Sequence, residues 1–239
     1  MKKGMPTENW IDYWNKDSIF RPLMKSSAGF FIEKTQPILG YNKNDILLDY
    51  GCGPGFLEQH LKDRIAEIHG VDTALAMIAE CRRKFASRDS LAFYELDQSN
   101  YTDLSFLPRH HYTKIICLSV IQYFRKIEDV ASLIRNIQRV AAPGALFLIA
   151  DIPVRSNIIF DTGALLKTAR SEKIIGKALK FLIQSRFSEY YKMRSSKGLL
   201  NISHEALEQI INHMNLNAEL INVPLTYNHR RTHLLIRIR

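Results

Sequence analysis

The chain has 239 residues, 46% of them apolar, with 33 Lys and Arg against 24 Asp and Glu, a formal charge of +9. That length supports one sizeable core, and no run of about 18 apolar residues is present to span a membrane. Three cysteines without paired spacing argue against a disulfide framework, and the lysines at positions 2 and 3 precede no continuous apolar stretch, so a cytoplasmic chain without a secretory leader is expected.

Residues 1–42 carry two helical patterns, Glu8 to about Phe20 and Ser27 to Leu39; the first is dense in aromatics (Trp10, Tyr13, Trp14, Phe20). Residues 43–151 alternate strand and helix patterns, which predicts a parallel sheet with right-handed crossovers. Strands are expected at Ile46–Tyr50, Ile65–Asp72, Leu91–Gln98, from Lys114, and before Asp151; helices at Leu57–Arg64, Ala74–Ser87 and Glu128–Ala141. Ser203 caps a further helix whose apolar face is Leu207, Ile210, Ile211 and Met214, and two strands follow at Asn217–Pro224 and Thr232–Arg239. No repeat or low-complexity tract is present, and a single decorated domain is expected.

Residues 152–201 interrupt this alternation. Ten Lys/Arg and three acids lie between Arg155 and Lys197, so this segment holds +7 of the +9 and the remaining 196 residues only +2. Ile174, Ile175, Ala178, Leu179, Leu182 and Ile183 recur at helical spacing with Lys173, Lys177 and Lys180 on the other faces. A lid helix packing on the domain is the first expectation; a surface meeting an anionic membrane or lipid-linked substrate is the second, and a nucleic-acid groove the third.

The first strand runs into Asp49-Tyr50-Gly51-Cys52-Gly53-Pro54-Gly55. Such a turn clears side chains where a ligand must approach the backbone, and the next helix offers unpaired N–H groups. The dinucleotide fingerprint needs a glycine at its sixth position, where this chain has Phe56. An acid ahead of the first glycine suits a ligand carrying an ammonium rather than a pyrophosphate. The run Asp49-x-Gly51-x-Gly53-x-Gly55 resembles the first motif of class I S-adenosylmethionine-dependent methyltransferases, and the resemblance extends well over 43–151 and more loosely over 202–239. It implies an α/β fold with a seven-stranded doubly wound sheet, last strand antiparallel, N-terminal helices, and a helical insertion after the fifth strand as substrate lid.

The resemblance implies S-adenosylmethionine as cofactor and S-adenosylhomocysteine as product. It assigns the cofactor floor to Asp49, Gly51, Cys52, Gly53 and Gly55; the ribose to Asp72, with Thr73 beside it; the adenine amino group to Asp97, with Gln98; and the surroundings of the methyl group to Ser119, Val120 and Gln122. Asp72 can also cap the helix that starts near Ala74, and the aromatic N-terminal helix would fold over the cofactor, with Tyr13 reaching its amino-acid end or packing at the core edge. Methyl transfer needs a base only where the acceptor must lose a proton. His204, His229 and Tyr123 are the candidates for the acceptor side; His233, Arg230 and Arg231 adjoin His229. His110 and His111 precede the fourth strand without a set of ligands at metal spacing, so no metal is expected.

Ser119-Val120-Ile121-Gln122 stands where amino-methylating nucleic-acid enzymes carry an Asp/Asn-Pro-Pro-aromatic run, and Cys117 lacks the partner cysteine of carbon-methylating RNA enzymes. A small-molecule or lipid-linked acceptor is therefore expected, with oxygen favoured over nitrogen or carbon. An RNA (tRNA) methyltransferase and a non-catalytic cofactor-binding or membrane-associated protein, peripheral at the membrane, remain the alternatives.

Overall fold

The computed structural model describes residues 10–15, 21–154 and 189–239. The basic amphipathic pattern between 173 and 183 lies outside the described residues, as do Glu8 and Phe20. In chain order the elements are α1 (Trp10–Trp14), α2 (Arg21–Leu39), β1 (Ile46–Tyr50), α3 (Phe56–Leu61), β2 (Glu67–Asp72), α4 (Leu75–Lys84), β3 (Leu91–Glu95), β4 (Tyr112–Leu118), a 3₁₀ turn (Ile121–Tyr123), α5 (Glu128–Val140), β5 (Ala141–Pro153), α6 (Glu189–Lys197), α7 (His204–His213), β6 (Asn217–Ile221) and β7 (Arg231–Arg237).

The seven strands form one sheet in the order β3-β2-β1-β4-β5-β7-β6. β1 to β5 are parallel, and β7 runs antiparallel between β5 and β6. Strand alternation sends neighbouring residues to opposite faces. Leu48, Ile115, Phe147 and Ile149 enter one core with α5 and α7; Leu47, Ile116, Leu148 and Ala150 enter the other with α2, α3 and α4. On α5, Val130, Leu133, Ile134, Ile137 and Val140 repeat at helical spacing and are buried, each contributing about 1.5–3 kcal/mol of burial. This is the expected doubly wound sheet.

Some boundaries differ from the sequence reading. α2 starts at Arg21 rather than Ser27, because the Arg21 guanidinium grips both Glu80 oxygens of α4 (3.0 and 2.7 Å) and secures the first turn, while Lys25 and Ser26 are merely an exposed face. Its end is a C′ glycine: Gly40, φ 60°, donates to Gln36 O (2.9 Å). β2 starts at Glu67 rather than Ile65, whose N–H is spent on Leu61 O (3.2 Å) at the end of α3.

Candidate functional site

The register brings the carboxyl ends of the parallel strands into line: Asp49 pairs with Gly70 and Ile116, Asp72 with Glu95, and Leu118 with Ala150. Ligands of open α/β sheets bind along this edge. The glycine turn lies at its centre, with Gly51, Gly53 and Gly55 at φ 81°, 52° and 73°. Gly51 and Cys52 both donate to Val71 O (2.7 and 3.1 Å), which lays the turn across β2. A Cβ on Gly51 would come within 2.3 Å of Val120 Cγ2, so the turn and the loop after β4 close on each other only because that side chain is missing. The same holds at Gly70 of β2, where a Cβ would meet Cys52 Sγ at 2.9 Å and Phe93 at 2.8 Å; the motif gave no notice of that glycine.

Asp72 accepts from Gly53 N (2.9 Å) through one oxygen and from Ala74 N (2.8 Å) through the other. It thus caps α4 and pins the glycine turn. A carboxylate offers about four acceptor sites, so ribose hydroxyls can still be received. Burial pushes its carboxyl up, and the N–H groups of Ala74, Gly53 and Thr73 oppose this.

Asp49 is buried beneath the turn beside Glu58 of α3, which is fully buried and whose oxygens meet no N–H or hydroxyl donor. Burial is the largest cause raising both carboxyls, and for Asp49 repulsion from Glu58 and Asp72 adds to it. Two carboxyls so placed share a proton, and the Lys84 ammonium partly offsets the rise at Glu58. Glu58 was not foreseen: it follows the motif at a position that reads as an ordinary helical residue. Lys84 donates to Pro54 O (3.3 Å) and Gly55 O (3.1 Å), and Cys81 Sγ to Gly53 O (3.2 Å), so α4 holds the turn's carbonyls from behind. Cys52 and Cys81 are buried free thiols, and the hydrogen bond with Cys81, with burial second, raises Cys52.

Asp97 and Gln98 are exposed in the loop after β3. Asp97 Oδ1 accepts from Ser99 N (2.7 Å) and Ser99 Oγ (2.8 Å), which lowers its carboxyl. Gln98 O accepts from Arg125 Nη2 (3.0 Å) beyond β4, so the loop is tied to the neighbouring edge. The N-terminal elements overlie the whole region. Asn15 Oδ1 accepts from Ala76 N (3.2 Å) of α4, Met24 of α2 lies 3.7 Å from where a Gly53 Cβ would be, and Trp10 and Trp14 pack on Tyr123 after β4 with ring centroids 4.9 and 5.7 Å apart. Tyr13 is buried between the two tryptophans (6.0 and 4.9 Å), which places it in the core-edge packing foreseen as one of its two roles.

The ends of β4 and β5 carry a second constellation. Ser119 (φ 58°) and Asp151 (φ 66°) are both in the left-handed region, a conformation costing about 1–3 kcal/mol for a non-glycine residue and concentrated at functional sites. Ser119 Oγ donates to Asp151 Oδ2 (2.6 Å); Thr226 Oγ1 donates to Asp151 Oδ1 (3.2 Å); Arg231 Nε is 3.5 Å from that oxygen. The Asp151 N–H donates to Nδ1 of fully buried His233 (3.1 Å), and burial lowers that imidazole to about 4, so it stays neutral. Gln122 is buried, with Nε2 on Ser119 O (3.2 Å) and Oε1 meeting no donor. Asp151 was read only as the end of a strand; its strained bulge, where the β5–β7 register shifts, leaves no local signal.

The histidine candidates stand on α7 and in the turn before β7. His204 is exposed at the start of α7, with Nε2 on Thr232 Oγ1 (2.7 Å), and His229 is exposed in the turn before β7. Tyr123 is half-buried in the aromatic cluster.

The glycine cradle closed by Val120, the paired acids below it and the capping acid of β2 fit an adenosyl ligand with an ammonium tail. Comparison with known proteins agrees. A methyltransferase-domain family model matches residues 48–149. The ubiquinone biosynthesis O-methyltransferase of Acinetobacter baumannii is 25% identical over 135 residues, 55% of this chain and 54% of that protein; the chain thus spans about half the length of the curated relatives it matches. Two solved structures share the fold: a proposed S-adenosylmethionine-dependent methyltransferase from Methanococcus maripaludis (TM-score 0.65, 14% identity, 99% of this chain and 96% of that one) and an S-adenosylmethionine-dependent methyltransferase from Aquifex aeolicus (0.59, 13%, 99% and 100%).

Proposed function

We propose that the chain, which carries a methyltransferase domain over residues 48–149, is a class I S-adenosylmethionine-dependent methyltransferase and that it methylates a hydroxyl oxygen of a small-molecule or lipid-linked acceptor bound at the carboxyl ends of β4 and β5. The cofactor supplies an electrophilic methyl carbon when bound. The residues assigned to hold it are Asp49 and Glu58 toward the ammonium, the Gly51–Gly55 backbone, Asp72 toward the ribose, and Asp97 with Gln98 toward the adenine.

The observation that carries the acceptor reading is Asp151. Its carboxylate is oriented by Ser119 Oγ and Thr226 Oγ1, on a strained backbone at the strand edge. A fixed carboxylate there can accept the hydrogen bond of an acceptor hydroxyl and take its proton as the oxygen becomes a nucleophile. The cluster of Trp10, Trp14 and Tyr123 offers flat apolar surface for a ring or isoprenoid chain. The oxygen chemistry of the Acinetobacter relative supports the same choice. In-line geometry supplies much of the remaining acceleration through positioning.

The test is Asp151→Asn assayed for S-adenosylhomocysteine release with phenolic and polyprenyl-linked hydroxyl acceptors, products weighed by mass spectrometry. The proposal expects kcat to fall about 10²-fold or more while cofactor affinity stays within threefold. Unchanged kcat, or a methylated nitrogen or carbon in the product, contradicts it.

A further inference from the structure

The amino-terminal edge of the sheet, opposite the site above, carries a cluster that the methyl-transfer reading leaves unused. Glu67 and His69 alternate onto one face at the start of β2, and His111 stands just before β4. One ligand atom from each lies within 4.8 Å of the other two. His69 Nε2 is 2.6 Å from Glu67 Oε1, and His111 Nε2 is 3.5 Å from Glu67 Oε2. The two imidazole rings are 5.8 Å apart. The backbone of His111 is anchored, its main-chain N–H donating to Val140 O (2.7 Å). Along β2, Glu67 and His69 precede Val71, whose carbonyl receives the glycine turn, by about 13 and 7 Å.

We propose that Glu67, His69 and His111 form a binding site for a divalent transition ion of the zinc type, with water as the fourth ligand. Ligand bonds of about 2.0–2.1 Å around a tetrahedral ion place donor atoms about 3.3–3.4 Å apart. The 3.5 Å Glu67–His111 separation is close to that value, and a small rotation of the half-exposed Glu67 carboxylate opens the His69 contact. Two imidazoles and one carboxylate are borderline donors that prefer zinc-like ions to magnesium or calcium. His69 also has the outer contact of a ligating histidine: its Nδ1 is 2.6 Å from the hydroxyl of fully buried Tyr112. With the ring proton on Nδ1 donating to Tyr112, the Nε2 lone pair faces the cluster. Without an ion, the same atoms settle as an imidazole–carboxylate hydrogen bond, which is the competing account.

The ion would clamp β2 to the start of β4 across β1, so its effect is on stability rather than on turnover. The experiment uses protein dialysed against EDTA and then titrated with Zn²⁺, read by thermal unfolding, with Co²⁺ replacing Zn²⁺ for visible absorption. At a hundredfold excess over Kd, a site binding only the folded state raises Tm by about 5–10 °C for a chain of this size. The expected results are one ion per chain, four-coordinate Co²⁺ absorption, and loss of both signals in His111→Ala and Glu67→Gln. Those variants should keep the EDTA-state Tm within a few degrees, since both side chains are partly exposed. Tyr112→Phe should weaken affinity about tenfold or more. A Tm indifferent to Zn²⁺, or a response that persists in His111→Ala and Glu67→Gln, overturns the proposal.

Discussion

Gly51 answers two demands at one position: φ of 81° and the 2.3 Å approach of Val120 Cγ2 to its missing Cβ. Gly51→Ala should therefore cost about 1–2 kcal/mol for the left-handed backbone and more for the overlap. In a domain this large that corresponds to a Tm drop of at least about 4 °C. Adding Val120→Ala should recover the overlap part and leave the backbone part; a double-mutant cycle with no coupling would show that Val120 does not close on the turn. The Asp49–Glu58 pair makes a different prediction. Folded-state pKa values raised above the unfolded ones mean stability that is full below about pH 4 and lost as pH climbs through the folded value, about 7 for Glu58. Glu58 alone contributes a loss on the order of 3 kcal/mol between those limits in the ligand-free protein. Glu58→Gln removes one titrating group and should flatten that slope, and denaturant melts at pH 5 and pH 8 decide it. Because the lowered His233 acts in the opposite direction in both chains, the comparison is between them: wild type and Glu58→Gln changing equally in stability from pH 5 to pH 8 would contradict the shared proton. Both effects sit within a motif whose glycines and first acid the sequence displays. The second acid and Val120 needed the fold, because contact between α3, β1 and the loop after β4 is not written in any local spacing.

Among the elements, α1 does the most with the fewest residues. It joins Tyr123 through two ring contacts and the segment after α6 through Trp10 Nε1 on Gly198 O (3.2 Å). It therefore stands on the proposed acceptor side, while α2 and Asn15 hold to α4 on the proposed cofactor side. Trp10→Ala should raise acceptor KM by about tenfold, the loss of roughly 1–1.5 kcal/mol of aromatic contact, and shift cofactor affinity less than threefold. Equal losses in both would move α1 to the cofactor. The sequence displayed the aromatic density of α1 and the amphipathic periods of α5 and α7, because these are local patterns. It could not display what each faces: Tyr123 is 113 positions from Trp10, Asp151 is 82 from His233, and Glu67 is 44 from His111. The start of α2 was misplaced because its first turn depends on Glu80, an anchor 59 positions away.

For the whole molecule, the sheet order divides the labour. β1 to β3 present the glycine turn, Asp72 and the Asp97 loop; β4, β5 and β7 present Ser119, Asp151 and the Arg231 side chain. Switching order at β1 and β4 opens the crevice between the halves. The parallel run was legible in the alternation of strand and helix patterns over residues 43–151, while the seven-strand count and the antiparallel last strand came from the family resemblance, because pairing between distant strands is not written in local spacing. The placement of seven net positive charges between Arg155 and Lys197 was legible too, as composition. The account's central claim is that this crevice binds S-adenosylmethionine through the glycine turn and Asp72. Calorimetric titration of the folded chain with S-adenosylmethionine, beside Asp72→Ala checked for an intact unfolding transition, tests it most directly. The account predicts one site per chain in the wild type and an affinity at least a hundredfold weaker in the variant. No binding to the folded wild type, or equal binding by both, would contradict it.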